Sequence, residues 1–432
     1  MTLTFQYFLN DARSGASSRG MPVVRVVPEN IVSECTVMAE IEPEITGVMD
    51  EVVAALTRPL TDEEASPSSK ELEKPSRAIF RGNLEEVNRF FYRRGWTDGL
   101  PIIPPTEEAV AEMVAGAGLP PDHLVLKLEP RLGKATVEKI AINAVMAGAL
   151  PTYMPILIAG TKALESNRSA VMMAVSTGSF SPFWYINGPI RNDVNINCSY
   201  GTMSPGDIAN ATIGRAMGLI TKNIRGIRKA VEDMGVLGNP GKYSWVAGEN
   251  EENNPWEPLH VEHGFNKEDS TVTLTFPQTY QQMIPYNTDD RGILATIIYN
   301  AQPSRIGIFG ILLTPTNAKA LASRGWSKRD IKSYIVENTR IPWDHSQGYF
   351  TGTEELFSAG SRAPVNPRDT VPIIRVSPID PDPVQIYVVG GFGSWMGLMS
   401  GGRITTEKIE LPPDWDNLVK KYKDIVPSYL MY

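Results

Sequence analysis

The sequence predicts an α/β or mixed α+β fold, in which a large multi-layer domain follows a short N-terminal docking segment. With 432 residues the chain is long enough for two or more subdomains. Its composition, 42% hydrophobic and 21% charged, is that of a globular protein. Short apolar runs bounded by turn residues alternate with stretches in which apolar residues recur at helical spacing. Strands and helices are therefore expected to interleave along the chain.

Two segments precede the linker to the main body. Residues 1–20 mix Ser, Gly, Arg and Asp without periodicity, which predicts a flexible tail and leaves both Met1 and Met21 open as the natural start. Residues 21–60 form a small element that precedes the main body. Within them, Pro22–Val27 alternates like a short strand, and Ile45–Leu56 carries apolar residues at helical spacing.

The main domain, 79–432 and possibly two subdomains, follows a linker at 61–78 that is rich in Pro, Ser and charge. Apolar spacing and capping residues predict helices at Asn83–Arg93, Thr106–Ala115, Ala135–Gly148, up to Glu165, after Ser204–Asp207, and at Asp290–Asn300, Thr316–Arg324 and Ser327–Asn338. Short runs bounded by turn residues predict strands at Val171–Thr177, Phe183–Ile190, Ser244–Ala247, Thr271–Phe276, Arg305–Leu313 and Val384–Val389. The order of the strands stays open.

Charge and composition exclude several classes of function. A net charge of −8 disfavours nucleic acid or an anionic membrane as a partner, because phosphate binding needs a concentrated basic face. Apolar stretches such as Ile306–Leu313 are far shorter than the roughly 20 residues that span a bilayer. The N-terminal segment lacks the pattern of a secretory signal, so we expect a cytoplasmic protein. Cys35 and Cys198 lie far apart and are expected to be buried, unreactive thiols.

The stretch Glu249–His263 is the strongest candidate for a functional site. It places five carboxylates, three side-chain amides, an indole and two imidazoles within fifteen residues, and its two prolines rule out a regular helix. A histidine beside carboxylates can act as a general acid or base near neutral pH, so His260 is the first candidate. A solvated acidic surface turn is the alternative interpretation.

A glycine-faced helix provides a second group of candidates. In the helix after Ser204–Asp207, Asn210, Gly214 and Gly218 recur four apart, so another backbone or a ligand can approach closely. Close packing of helices is the alternative explanation. Arg215 beside this stripe is expected to form an ion pair or to clamp an anion.

Metal and nucleotide binding have weaker signals, and no cofactor is predicted. His260 and His263 have a spacing that can serve a metal, with Glu257 and Glu262 as oxygen ligands, although the neighbouring proline disfavours the helix that usually fixes such a pair. The glycines of Gly390–Ser394 follow a strand, but the third glycine of a dinucleotide fingerprint is missing. A tight glycine turn is the favoured interpretation there.

Several stretches resemble the large domain of the bacterial UGSC family, named for a selenocysteine-or-cysteine, Gly, Ser, Cys motif. The matching stretches are Trp96–Pro101, Gly133–Ala144, Asn187–Ile190, Asn210–Arg215, and Gly241–Tyr243 running into the Glu249–His263 loop. The resemblance covers most of residues 79–310. It implies two parts in full-length members, an N-terminal α/β domain with the reactive thiol or selenol and the large domain. This chain contains no Gly-Ser-Cys sequence, and residues 21–60 resemble the remnant of that N-terminal α/β domain, so the resemblance implies a split enzyme with a Gly-Ser-Cys partner subunit.

The function expected from these observations is that of an oligomeric enzyme subunit for a small polar metabolite. Acid/base chemistry of the lyase, hydratase or thiol-addition type is compatible, with the nucleophilic sulfur or selenium supplied by the partner. The expected catalytic residues are His260, Glu257 and Glu249, and the expected substrate-binding residues are Asn187, Asn210, Arg215, Asn250 and Trp256. A noncatalytic scaffold or binding subunit and a metal-dependent hydrolase are the two alternatives.

Overall fold

The computed structural model describes residues 1–32, 37–67, 77–167, 169–301, 309–342, 370–372, 374 and 381–425. The N-terminal part contains β1 (Thr2–Phe5), α1 (Leu9–Ser18), β2 (Val26–Glu29), α2 (Met38–Thr57) and α3 (Asp62–Ala65). The main domain contains α4 (Leu84–Arg93), α5 (Glu107–Ala115), β3 (Leu124–Leu128), β4 (Gly133–Thr136), α6 (Val137–Ala147), α7 (Met154–Ser166), α8 (Ala170–Val175), β5 (Phe183–Asn187), α9 (Ile190–Asp193), α10 (Ile208–Asn223), β6 (Val246–Gly248), α11 (Leu259–Glu262), β7 (Thr271–Thr275), β8 (Thr279–Met283), α12 (Asp290–Asn300), β9 (Phe309–Leu313), α13 (Pro315–Ala322), α14 (Lys328–Asn338), β10 (Arg340–Pro342), β11 (Thr370–Pro372), β12 (Val384–Val388), β13 (Met396–Ser400), β14 (Thr405–Lys408) and α15 (Trp415–Tyr422).

Where the sequence predicts a flexible tail at 1–20, the structure has β1 and α1. β1 and β2 form a two-stranded parallel sheet, and α1 connects them. The hydroxyl of Ser14 in α1 donates a hydrogen bond to Glu232 of the main domain at 2.8 Å, and Arg131 donates to the Ser14 carbonyl at 2.7 Å. These long-range contacts hold α1 against the main domain, although its sequence shows no apolar periodicity. The predicted helix at Ile45–Leu56 is confirmed as part of α2.

The main domain is a mixed α/β fold with helices on the outer faces of two four-stranded sheets. The first sheet has the order β14-β7-β5-β6, with β5 parallel to β6 and antiparallel to β7. α7 packs against β7 and β14, and α10 packs against β6. This helix layer buries the side chains of one sheet face, including Trp184, Ile186, Val272 and Leu274.

The second sheet has the order β12-β9-β13-β8, with β12 parallel to β9. Its outer face supplies Ile311, Leu313, Ile386 and Val388 to a core shared with α12, α13 and α14. None of the helices in the described ranges has the length and apolar content that crossing a bilayer requires.

A third core lies between the two sheets. It contains Phe183 and Tyr185 from β5, Leu312 from β9, Tyr387 from β12 and Met399 from β13. Because side chains alternate along a strand, the inner faces of the sheets meet in this layer and the outer faces meet the helices. The layers therefore follow the order helix, sheet, sheet, helix, and we call the space between the sheets the intersheet layer.

Local capping signals predicted the starts of α5 and α14 correctly. Asn83 and Ser327 close capping boxes at α4 and α14, and Thr106 caps α5. The helix predicted after Ser204–Asp207 is confirmed as α10, but Asp207 and not Ser204 occupies its N-cap position, since Gly206 adopts a φ of +137°. A positive φ at that position interrupts helical geometry.

The predicted strand at Val171–Thr177 is also wrong, because α8 occupies most of it. Ala170, Met173 and Ala174 are buried while Met172 is 62% exposed, which is the periodicity of a helix. A short apolar run does not distinguish a strand from a buried helix by itself. The polar edge strands β8 and β14 escaped prediction, since few apolar residues mark them. Part of the predicted strand at Arg305–Leu313 lies outside the described residues.

Candidate functional site

The candidate site forms where β5 and β6 end. Ile186 of β5 lies opposite Gly248 of β6, so Asn187 and Glu249 lie side by side at the carboxyl ends of two parallel strands. The Glu249 amide extends the pairing by donating to the Ile186 carbonyl at 3.0 Å. The carboxyl ends of parallel strands are where open α/β sheets commonly bind ligands. By strand alternation, Asn187 shares the intersheet face of Tyr185.

Glu249 is a fully buried carboxylate held by three donors. The Asn187 amide and the Leu259 backbone N–H donate to Oε2 at 2.5 and 2.8 Å, and the Asn254 amide donates to Oε1 at 2.6 Å. Burial raises the pKa of Glu249 above its ordinary value, while the positive charge of Lys328 and these hydrogen bonds act in the opposite direction. The fold thus builds a precise cradle for one buried carboxyl group.

A buried arginine organises the remaining carboxylates. Arg191, 2% exposed, lies 3.1 Å from an oxygen of Glu251 and 3.1 Å from an oxygen of Glu252, and also donates to the Glu249 carbonyl at 2.6 Å. Its Nε donates to the Gly188 carbonyl at 3.1 Å, which fixes the side chain beside the end of β5. Burial alone lowers the pKa of Arg191, but the hydrogen bond with Glu252 and the charge of Glu251 outweigh it and raise the pKa. The guanidinium therefore stays charged.

His260 lies fully buried next to this network. Its Nε2 lies 3.3 Å from the Lys267 carbonyl oxygen, which can only accept, so Nε2 is the protonated nitrogen. Nδ1 has no hydrogen-bond partner and lies 3.9 Å from Oε1 of Glu251. A neutral His260 therefore presents a lone pair to a carboxylate.

Two further buried polar atoms without a hydrogen-bond partner lie at the end of β5 and on its neighbour β7. They are Oδ1 of Asn187 and Oγ1 of Thr271, and these two residues are directly opposed in the pairing of β5 with β7. The amide nitrogen of Asn187 is occupied by Glu249 and Glu251. Because most buried polar side-chain atoms find partners, such atoms mark places where a ligand group or water is expected to bind.

The rest of the predicted loop is anchored by contacts to the second sheet and its helices. Asn250 donates from its backbone to the Val388 carbonyl at 2.9 Å and from its side chain to the Gly390 carbonyl at 3.0 Å. The indole of Trp256 donates to the Trp326 carbonyl at 2.9 Å and packs on the core of the second helix layer. Both residues therefore hold the loop in place and take no direct part in the polar network of Glu249.

Glu257 and Arg215 lie apart from this network, contrary to expectation. Glu257 is exposed, and its carbonyl oxygen is what accepts a hydrogen bond from Lys328. Arg215 forms a paired contact with Asp98, at 2.8 and 3.0 Å, and donates to the Pro101 carbonyl at 2.7 Å. The ion-pair interpretation of Arg215 is the one the geometry supports, because the Asp98 carboxylate occupies the guanidinium.

Asn210 and the glycines of α10 have packing roles. The Asn210 side chain accepts a hydrogen bond from the backbone N–H of Asn197 at 2.9 Å and donates one to the backbone carbonyl of Asn197 at 3.0 Å. These two bonds hold the loop before α10 in place. A Cβ at Gly214 would lie 2.2 Å from the Ser244 hydroxyl, so the helix approaches the chain leading into β6 closely. These contacts match the packing interpretation of the glycine stripe.

The residues weighed as metal ligands face different partners. Glu262 pairs with Lys328 and Lys332, whose ammonium groups occupy its two oxygens. The His263 Nδ1 forms a hydrogen bond with the Thr406 hydroxyl at 2.8 Å. Within the described ranges, no group of three or more His, Cys, Asp or Glu residues is arranged to hold a metal ion.

The sequence did not single out Arg191, Glu251 or Cys198 for this site. Arg191 had one usable signal, a charged residue just after a strand that ends in Asn187, where the carboxyl-end rule places ligands. Cys198 is a half-buried free thiol with Sγ 3.6 Å from Nη1 of Arg191. Burial raises its pKa above the ordinary value, although Arg191 opposes this, which keeps the thiol protonated. Cys35 lies outside the described residues.

A comparison of the chain with models of protein families, with curated proteins and with solved structures yields no match in any of the three. The geometry of the polar network and elementary chemistry are therefore the basis for a function.

Proposed function

We propose that this protein is an enzyme subunit that acts on a small polar metabolite by acid/base chemistry, with His260 as the group that accepts and returns a proton. One observation carries the proposal: Nδ1 of His260 and Oε1 of Glu251 face each other at 3.9 Å inside the protein, and Nδ1 has no partner. When the imidazole is neutral and carries its proton on Nε2, Nδ1 of His260 and Oε1 of Glu251 are both hydrogen-bond acceptors. Either a proton or a donor group of a ligand between them relieves the mismatch.

This arrangement suits reversible proton transfer. When His260 takes a proton at Nδ1, the resulting imidazolium gains a carboxylate neighbour in Glu251, and its Nε2 keeps the Lys267 carbonyl. A hydroxyl or ammonium group of a substrate placed between the two acceptors supplies that proton. General acid or base catalysis by one positioned side chain contributes about 10²- to 10⁴-fold to a rate.

The surrounding residues hold the reacting pair. Gly188 N–H and the Asn187 amide donate to Oε1 of Glu251 at 2.7 and 3.0 Å, and Arg191 neutralises its other oxygen. Glu249 fixes the Leu259 amide at the start of α11, the short helix that carries His260. In this proposal Asn187, Arg191 and Glu249 are positioning residues.

Dependence on a partner subunit is the second part of the proposal. The resemblance to the UGSC family implies a Gly-Ser-Cys partner with a reactive thiol or selenol, and the raised pKa of Cys198 makes that thiol a poor nucleophile near neutral pH. The N-terminal α2 offers a docking face, because none of its twenty residues is buried and Met49, Val53 and Leu56 are 44, 50 and 63% exposed. An apolar helix of this length is stabilised when a second surface covers it.

The test is a turnover assay of the chain reconstituted with a Gly-Ser-Cys protein encoded near it, screened against hydroxylated and amino metabolites. His260→Ala is expected to lower turnover at least 100-fold, and the matched variant His263→Ala, three residues along the same short segment, is expected to stay within a few-fold of the parent. Circular dichroism and thermal melting of both variants separate loss of chemistry from loss of folding. Full turnover by a folded His260→Ala protein removes His260 from the mechanism.

A noncatalytic binding subunit is the second candidate, and one observation favours it. Glu249 and His260 are fully buried, and all of the Glu249 contacts are internal, as in a structural polar network. In that case the chain copurifies with the partner, and the partner alone carries all turnover. Activity that appears only when both chains are present contradicts this candidate.

A further inference from the structure

The strand β8 has an open edge that distinguishes it from the other edge strands of the two four-stranded sheets. β6 and β12 are buried along their whole length, and β14 carries Glu407 and Lys408. The first four residues of β8, Thr279–Gln282, are exposed instead. Within the described ranges β8 pairs with β13 alone, so the backbone N–H and C=O groups of alternate residues on its outer side have no strand partner there.

The sequence of β8 has none of the usual features that prevent an edge strand from pairing. Natural edge strands are commonly protected by Lys, by Pro or by a bulge. Thr279–Met283 contains no charged residue and no proline, and its five residues pair with β13 without a shift in register. The uncharged stretch extends from Phe276 to Thr288, in a chain of which 21% of the residues are charged. An unprotected edge of this kind is a template for pairing with another chain.

Large apolar side chains lie beside this edge. Tyr280 on β8 and Ile284 just after it are 40 and 58% exposed. Tyr286 and Tyr299 are 68 and 73% exposed, and their ring centroids lie 6.2 Å apart. The Gln281 amide donates to the side chain of the last residue of α12 at 3.0 Å, which places Tyr299 next to the strand. The open edge is therefore bordered by exposed aromatic surface, as at the centre of many protein interfaces.

A second copy of this chain fits the edge better than an unrelated strand. A two-fold axis through Gln281, the middle residue of β8, aligns all five residues of the strand with those of a second, antiparallel β8. Gln281 then lies opposite Gln281 of the second copy, and the pair is self-complementary because an amide is both donor and acceptor. Like charges do not meet between the two strands, although each chain has a net charge of −8. Two-fold pairing covers both open edges at once, so the assembly stops at two chains.

We propose that two copies of this chain associate by antiparallel pairing of β8 with β8, which joins their second sheets into one continuous sheet and packs Tyr286 and Tyr299 beside the paired strands. A standard protein interface covers about 800 Å² per partner. The exposed parts of Tyr280, Tyr286 and Tyr299 supply roughly 350 Å² of it, at about 200 Å² for a whole aromatic side chain. The exposed strand and Ile284 have to supply the remainder. The proposal is independent of the acid/base function of His260.

Sedimentation velocity of the full chain across a dilution series tests this association. The parent is expected to shift from the mass of one chain to that of two chains as its concentration rises. Gln281→Lys and Gln281→Glu each place like charges opposite each other on the two-fold axis, so each variant is expected to weaken the dimer at least tenfold. An equimolar mixture of the two variants is expected to form a dimer again, because a lysine then faces a glutamate.

Two further variants connect the association to this edge. Thr405→Lys is the matched control, since it adds the same charge to β14, an edge strand of the first sheet, and it is expected to leave the dimer unchanged. Tyr299→Ser keeps β8 intact and is expected to weaken the dimer about tenfold. Thermal melting of each variant separates loss of association from loss of folding. The proposal is overturned by a parent that stays a single chain at every concentration, by a dimer that folded Gln281→Lys leaves intact, or by a mixture that does not restore association.

Discussion

At the scale of single residues, the candidate site depends on exact matching of donors to buried oxygens. Glu249 is fully buried, and the three donors from Asn187, Asn254 and Leu259 compensate the loss of its hydration. His260 is matched on one nitrogen only, through the Lys267 carbonyl. We therefore expect His260 to take part in proton transfer and Glu249 to stabilise the fold.

Replacing Glu249 by Gln tests this division. The glutamine side chain keeps one oxygen acceptor and has an NH₂ group in place of the other oxygen. This NH₂ faces another donor, either the Asn254 amide or the Asn187 amide and the Leu259 N–H. We expect the free energy of unfolding to fall by about 2 kcal/mol, the cost of leaving a buried donor unpaired. Urea unfolding measures it, with exposed Glu257→Gln as control, which is expected to change stability by less than about 0.5 kcal/mol. Equal stability of the two variants would show that the cradle adds nothing to folding.

At the scale of elements, α10 holds the first sheet to the rest of the main domain. Its polar side chains reach outward to other segments: Arg215 pairs with Asp98, and Lys222 donates to the Thr97 carbonyl. Its glycine face lies against the segment that enters β6, the strand that ends at Glu249. A change in this contact is therefore expected to displace the carboxyl end of β6.

Gly214→Ala is expected to destabilise the protein by about 1–3 kcal/mol, because the added Cβ would lie 2.2 Å from the Ser244 hydroxyl and 3.0 Å from its Cα. Gly47→Ala in α2 is the control, since nothing lies within 4 Å of its added Cβ. There the better helix propensity of alanine is expected to stabilise by about 0.5–1 kcal/mol. Thermal melting of both variants checks the pair, and a neutral Gly214→Ala would mean that the helix shifts freely.

At the scale of the whole molecule, one ion cluster joins the N-terminal unit to the main domain. Glu232, 2% exposed, accepts from Ser14 of α1 and pairs with Arg131 and Arg228. Burial alone raises the pKa of Glu232, but the hydrogen bonds from Arg228, Ser14 and Arg131 outweigh it and lower the pKa to about 2. The charged form of this carboxylate therefore favours the docked arrangement.

Acid is expected to weaken this junction. The folded pKa of Glu232 is about 2 and its ordinary value is 4.5, so its stabilisation is complete above pH 4.5 and is lost as the pH falls towards 2. The loss is expected to be roughly 2–3 kcal/mol in the free energy of unfolding. Urea unfolding of the parent and of Glu232→Gln between pH 6 and pH 3 measures it, with the variant less stable at pH 6 and flatter with pH. Parallel pH profiles would exclude Glu232 as the acid-sensitive group.

What the sequence determined is what depends on neighbours along the chain. Capping residues Thr106 and Ser327 predicted the starts of α5 and α14, and the composition of Glu249–His263 pointed to a segment that contributes Glu249 and His260 to one buried network. These signals need only a few residues, because caps and apolar periodicity act within one or two turns.

The tertiary structure decided which distant groups meet. Arg191 reaches Glu251 only because β5 and β6 run side by side, and Arg215 is occupied by Asp98 from a segment more than a hundred residues earlier. Pairing of strands and of buried charges depends on contacts between parts of the chain that are remote in sequence. Local patterns do not reveal such contacts. The sequence therefore identified candidate residues, and the fold identified their partners.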